Sequence, residues 1–220
     1  MNADEIEKAL RDSGELNLDV FKIRADIRSL QKFLDRHAMK EKIHDTDSIG
    51  LKENTITIKP RKVTSYWAAM LSDFIRRKLV QEGRSLSFET VMSNADKIEF
   101  MRFAKKKGYK IYLYFICTED PDINIDRINY RVNAKQGHFV LNKKVKERYY
   151  RSLELLFEAI EICYRSYLFD NTGEAYRLCA EKTPKLLRIC GHNEMPVWLY
   201  QYLLVKNFKS AKQIPLRKLN

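Results

Sequence analysis

The sequence predicts an α/β fold, a parallel sheet flanked by helices, with a C-terminal hairpin and helix. Three observations predict it. Residues 86–117 read as strand, helix, strand, and two strands joined through a helix are expected to run parallel. A further apolar strand, 167–170, follows a long amphipathic helix. The chain is 45% hydrophobic and 32% charged over 220 residues, and its 12 Tyr, 11 Phe and 2 Trp are too many aromatics for a disordered polymer. One domain over 1–220 is the expected organisation, because the length fits it and no repeat, low-complexity tract or linker interrupts the chain. Its last part, 174–220, reads as hairpin, helix and basic tail.

Each element has its own warrant. Residues 2–10 open with acids and space Ile6, Ala9 and Leu10 along one helix face. Between 20 and 38, Phe21, Ile23, Ile27, Leu30, Phe33 and Leu34 recur three or four apart, predicting a helical region that gives way to a polar loop through Gly50. Residues 54–59 alternate with period two before Pro60, as in a half-buried strand or one arm of a hairpin. Over 64–82, Trp67, Met70, Leu71, Phe74, Ile75 and Leu79 form a stripe, with Thr64 or Ser65 as N-cap and Gly83 as terminator.

Leu86, Ser87 and Phe88 read as a short buried strand, 95–107 as a helix stopped by Gly108, and 109–117 as a strand covered on both faces, since it is almost continuously apolar. Residues 121–132 read as a short helix and 133–141 as a loop. Asn142 can cap a helix running to about 166, whose apolar positions Val145, Tyr149, Leu153, Leu156, Ile160 and Cys163 step by three or four. A hairpin around Thr183 and Pro184 and a helix over 197–205 complete the chain.

Composition narrows the function classes. No apolar run reaches the roughly 18 residues that cross a bilayer, and residues 1–10 are acidic where a secretory signal is basic and then apolar. Neither a membrane span nor export is expected. Cys117, Cys163, Cys179 and Cys190 form no CxxC pair, so a reducing cytoplasm is the expected location. With 41 Lys and Arg against 29 Asp and Glu, the formal charge of +12 favours polyanionic partners such as nucleotides, phosphorylated metabolites or nucleic acid.

Candidate chemistry gathers at the predicted strand ends, where α/β sheets hold ligands. Glu89 follows the 86–88 strand, and Asp170 and Asn171 follow the 167–170 strand; a helix N-terminal acid and an Asx turn are the plain structural readings of these groups. More informative are the cations. Arg127 and Arg131 lie four apart on one predicted helix, Lys144, Arg148 and Arg151 share a face of the next, and a loop holding Gly137 and His138 joins them. Two cationic faces beside such a loop make a phosphate clamp; for any single arginine a solvated surface is the plainer reading. Cys190 and His192 lack a second ligand pair, so no metal site is expected. The 206–220 tail carries five cations and no acid, but Phe208 is its one aromatic, so it reads as a solvated tail before it reads as a nucleic-acid contact.

Ser87-Phe88-Glu89-Thr90-Val91-Met92-Ser93, Gly108-Tyr109, Arg127 to Arg131, Gly137-His138, Arg148-Tyr149-Tyr150-Arg151-Ser152-Leu153 and Phe169-Asp170-Asn171-Thr172 occur in that order. In this order they resemble the zeta-toxin-like family of P-loop kinases, over residues 2 to 173. The opening Asn2-Ala3-Asp4-Glu5-Ile6 resembles the family's acidic motif. The resemblance implies a P-loop-kinase-like parallel sheet, Asp4 as the catalytic base, and Glu89 with Thr90 and Ser93 on the substrate. It implies Arg131, Arg148 and Arg151 on the transferring phosphate, and Arg127, His138, Asp170 and Asn171 on the nucleotide side. ATP or GTP with Mg²⁺, a small-metabolite acceptor such as a nucleotide sugar, and an antitoxin protein are the implied ligands and partners.

The sequence departs from the family in one respect. None of its seven glycines precedes Lys-Ser or Lys-Thr, so the glycine-rich phosphate loop is not among these residues, and neither is the family's first strand. Weak or absent kinase activity is the expectation for this chain. The alternative is a non-catalytic binder of a phosphorylated ligand, a nucleic acid or an antitoxin.

Overall fold

The computed structural model describes residues 3–43, 49–59, 63–137, 139–191 and 195–206. The chain divides into two compact units, residues 1–90 and 91–220. It is mixed α/β, with a three-stranded sheet in the first unit and a four-stranded sheet in the second. Among the described residues no helix is long and apolar enough to cross a membrane.

In the first unit, α1 (Ala3–Ser13), α2 (Ile27–Arg36) and α3 (Ser65–Gln81) pack with a small antiparallel sheet of order β1 (Glu15–Asn17), β3 (Thr55–Thr57), β2 (Gly50–Lys52). The expected stripe of α3 is buried, with Trp67, Met70, Leu71 and Ile75 joining Leu10, Leu18, Leu30, Leu34 and Ile56 in one core. The 54–59 strand is one arm of a hairpin whose turn residues Glu53 and Asn54 have φ of 49° and 61°. The helix expected over 20–38 is broken. A 3-10 turn, Leu18–Phe21, ends at Lys22 in the left-handed region, and Asp26 restarts the helix by accepting from the Ser29 N–H at 2.8 Å.

A buried ionic cluster joins α2 to α3. Asp73 meets Arg77 Nε at 2.8 Å, Arg76 Nη2 at 3.5 Å and His37 Nε2 at 3.6 Å. Burial pushes the Asp73 carboxyl up, but hydrogen bonds from His37 and Arg77 and the charges of Arg77 and Arg76 outweigh it and hold the group at about 2.

The second unit runs α4 (Ala95–Lys106), β4 (Tyr112–Cys117), α5 (Pro121–Asn133), α6 (Asn142–Ile162), β5 (Arg165–Asp170), β6 (Arg177–Lys182), β7 (Leu187–Ile189) and α7 (Val197–Leu199), which continues as π-helical turns over Tyr200–Val205. The sheet order is β4-β5-β6-β7. Only β4 and β5 are parallel, joined through α5 and α6; β6 and β7, the expected hairpin, run antiparallel. The parallel sheet read from the sequence is therefore a parallel pair extended by a hairpin. No P-loop-kinase strand order can be read from it.

Two strand assignments are corrected. Leu86 to Phe88 is irregular backbone, and Glu89 therefore does not stand at a strand end. The strand at 112–117 exists but is covered on one face only. Phe115 and Cys117 enter a core with Leu153, Leu156, Ile160, Leu168, Trp198 and Leu203, whereas Tyr112, Tyr114 and Ile116 remain 50%, 64% and 53% exposed. Uninterrupted apolar sequence signalled burial on both faces because it cannot distinguish a covered face from a tyrosine-rich open one.

Candidate functional site

The carboxyl ends of β4 and β5 lie side by side, with Cys117 opposite Asp170 in the register. Both strands then turn into polar sequence, Thr118-Glu119-Asp120 and Asn171-Thr172-Gly173. The turns are tied together. Asn171 N–H donates to the Cys117 carbonyl at 2.7 Å, and Glu119 N–H donates to Thr172 Oγ1 at 2.8 Å. Thr172 Oγ1 in turn donates to Asp170 Oδ1 at 2.6 Å, and Arg177 Nη2 lies 3.5 Å from Asp170 Oδ2.

Helices α5 and α6 pack on each other and complete the site. Asp120 caps α5 by accepting from the Asp122 N–H at 2.7 Å, and Pro121 begins the helix where a missing N–H does no harm. Arg127, nearly two turns farther along, donates from Nη2 to the carbonyls of Thr172 at 3.4 Å and Gly173 at 3.3 Å. Tyr149 on α6 donates from its hydroxyl to the carbonyls of Thr118 at 2.8 Å and Glu119 at 3.2 Å. Burial, joined by the neighbouring Cys117, pushes the Tyr149 phenol far up, so it stays a donor at every ordinary pH; burial likewise pushes Cys117 up to about 12. Lys146 bridges Asp122 at 2.7 Å and cross-links the two helices at their first turns.

The remaining arginines are differently placed. Arg131 and Arg151 are exposed and Arg148 is half-exposed; among the described residues no carboxylate pairs with any of the three. Arg148 and Arg151 lie three apart on α6, beside Tyr149, so the same helical turn that anchors the strand end presents the guanidinium groups. After α5 the chain turns through Lys135, in the left-handed region at φ 55°, and Gln136 N–H returns to the Arg131 carbonyl at 2.8 Å. A Cβ at Gly137 would lie 3.4 Å from the Arg131 Cβ, at the edge of ordinary van der Waals contact, so the connection passes close to the end of α5.

Of the residues singled out in the sequence, Arg127, Asp170 and Asn171 gather at the strand ends through bonds to Thr172, Gly173 and Cys117. Asp170 is buried and engaged by Thr172 and Arg177, which makes it a support of the turn. Arg131, Arg148 and Arg151 belong to the flanking helices. Asp4 stands exposed in the first turn of α1, and Glu89 and Thr90 are exposed on irregular backbone; these three belong to the first unit. Ser93, half-buried, belongs to the second, just before α4. His138, His192 and the 207–220 tail lie outside the described residues.

Sequence reading missed Tyr149, Thr118, Thr172 and Arg177. In the sequence Tyr149 reads as an apolar position, which describes its ring, while its hydroxyl does the positioning. The signal available was a run of small polar residues directly after each apolar strand, Thr118-Glu119 and Asn171-Thr172. Among the described residues no group of three His, Cys, Asp or Glu side chains could hold a metal ion. No family model, curated protein or solved structure matches the chain.

Proposed function

We propose that this chain carries the phosphate-clamping side of a zeta-toxin-like phosphotransferase, which moves the γ-phosphoryl group of ATP or GTP to a hydroxyl of a small metabolite such as a nucleotide sugar. The observation that carries the reading is the set of arginines that pair with no carboxylate among the described residues, Arg131, Arg148 and Arg151, on the two helices that connect a parallel strand pair. Phosphoryl transfer requires compensation for charge spread over the γ-phosphate oxygens, and guanidinium forks supply it bidentately. Arg127, already held by two backbone carbonyls, serves as the strut that fixes α5 against the end of β5.

The order of motifs along the chain supports the remaining roles. By the family resemblance Asp4 is the expected base for the acceptor hydroxyl, and Glu89, Thr90 and Ser93 are the expected acceptor contacts. Mg²⁺ in such chemistry neutralises nucleotide phosphates; the described residues offer no metal cluster for it, and the charge compensation assigned to this chain comes from guanidinium groups. The sequence contains no Gly-Lys-Ser or Gly-Lys-Thr loop, which favours a second reading in which the same arginines bind a phosphorylated ligand without turnover.

Incubation with γ-labelled ATP or GTP and nucleotide-sugar acceptors separates the readings. Slow label transfer that is lost in Asp4→Ala and in Arg148→Ala supports the phosphotransferase. Transfer indifferent to both substitutions contradicts the assigned roles, and nucleotide binding without transfer selects the non-catalytic reading.

A further inference from the structure

Helices α4 and α6 and the C-terminal helix all contribute to the core on one face of the four-stranded sheet. On the other face Tyr112, Tyr114 and Ile116 are exposed, and Arg165, Tyr167 and Phe169 are half-buried. By the register, Tyr112 stands beside Arg165, Tyr114 beside Tyr167 and Ile116 beside Phe169, and none of the six belongs to the unit's core. Across β6 and β7 the same face continues with Glu181 and Arg188.

The face has a definite chemistry. Tyr114 and Tyr167 stack with centroids 5.2 Å apart and planes 17° apart, and Tyr112 meets Tyr164 edge-on at 5.8 Å. Lys110 Nζ sits 5.1 Å over the Tyr164 ring, and Arg165 Nη1 donates to the Tyr167 hydroxyl at 3.2 Å. The acid opposite Tyr167, Glu181, is bridged by Arg188 at 2.7 Å, so Lys110 and Arg165 leave the aromatic face with net positive charge. Burial in a core does not account for four tyrosines interleaved with cations on an open sheet. Bases stacking on aromatic rings while phosphates meet cations does.

We propose that this face binds single-stranded nucleic acid, with bases against Tyr112, Tyr114 and Tyr167 and backbone phosphates at Lys110 and Arg165. Charge complementarity selects this occupant: an apolar strand would bury Lys110 and Arg165 without a counter-charge, and a second copy packed face to face would bury them against a face of the same sign. The site is separate from the arginines of α5 and α6 and does not depend on their role.

Fluorescence anisotropy of a labelled short oligouridylate tests it on the full chain. Two phosphate contacts give a salt slope of about −1.4, so affinity should fall about sevenfold between about 50 and 200 mM salt. Tyr114→Ala should weaken binding at least about fivefold, Tyr114→Phe should retain it because the ring remains, and Lys110→Gln should reduce the slope by about 0.7. Tyr66→Ala in the first unit should change nothing. No binding at low salt, or binding that survives Tyr114→Ala but is lost in Arg148→Ala, overturns the proposal. So does light scattering that shows a concentration-dependent dimer dissolved by Tyr114→Ala, which would assign the face and the free edge of β4 to a second copy.

Discussion

Replacing Tyr149 by Phe removes one hydroxyl from the point where α6 holds the end of β4. The ring stays buried, so no cavity forms and the loss is confined to hydrogen bonding. The hydroxyl donates to two carbonyls, Thr118 at 2.8 Å and Glu119 at 3.2 Å, with one proton between them. The Thr118 carbonyl keeps a weak contact from the Cys117 thiol at 3.4 Å, whereas no other donor to the Glu119 carbonyl is seen among the described residues. A buried hydrogen bond lost with its acceptor left in place costs about 1–3 kcal/mol, and the residual thiol contact argues for the lower half, about 1–2 kcal/mol. For a unit of this size that is a fall in Tm of about 4–8 °C.

Urea unfolding monitored by Trp198, which packs on Phe115 in this unit, reads the change directly. A Trp67→Phe background silences the other tryptophan, which lies in the core of the first unit. The midpoint should fall with the slope unchanged. A stability change below about 0.3 kcal/mol would show that the hydroxyl does not hold the strand end, and would remove the argument that Tyr149 positions the adjacent arginines.

Other predictions follow from the charges and thiols. Asp73→Asn should destabilise the first unit by about 3 kcal/mol, because it leaves Arg76, Arg77 and His37 around a neutral amide in a buried site; Trp67 fluorescence in urea measures it. Asp73 is depressed from 3.8 to about 2 in the fold, so its contribution is complete above about pH 4 and is lost as pH falls toward 2. The shift is worth about 2 kcal/mol, and urea midpoints measured from neutral to acid pH should show that decline in the wild type and not in Asp73→Asn. Of the four thiols, Cys117, Cys163 and Cys179 are buried and burial pushes each upward, so Cys190 should react first with iodoacetamide and peptide mapping should locate the adduct there. Rapid labelling of Cys117 in the native protein would contradict the packing of β4.

Much of this organisation is legible in the sequence because single residues decide it. The α3 stripe from Trp67 to Ile75, the stop at Gly108 with φ of 85° and the Thr183-Pro184 hairpin all express local stereochemistry. What local pattern cannot carry is partnership. Leu86 to Phe88 has strand-like composition yet is irregular backbone, and Glu15 to Asn17 has no strand signal yet pairs with Thr55 to Thr57. The break at Lys22 depends on Asn54, whose side chain reaches Asp19 at 2.6 Å and the Ile23 carbonyl at 2.8 Å from more than thirty residues away in sequence. At the candidate site the arginines were visible from helical spacing, because i, i+4 and i, i+3 steps fix a face. The strut made by Arg127 and the anchor made by Tyr149 were not, because each depends on carbonyls of a distant turn.

The central claim is that Arg131, Arg148 and Arg151 clamp a transferring phosphate. Calorimetric titration of Mg-ATP into the wild-type chain and into the variant with all three changed to Ala tests it most directly. A charge-assisted hydrogen bond contributes about 1.5–3 kcal/mol, so even one productive contact predicts at least a tenfold loss of affinity in the variant, with Arg102→Ala on α4 as the neutral control. Equal heats and equal affinity in wild type and triple variant, or no binding by either, would contradict the clamp.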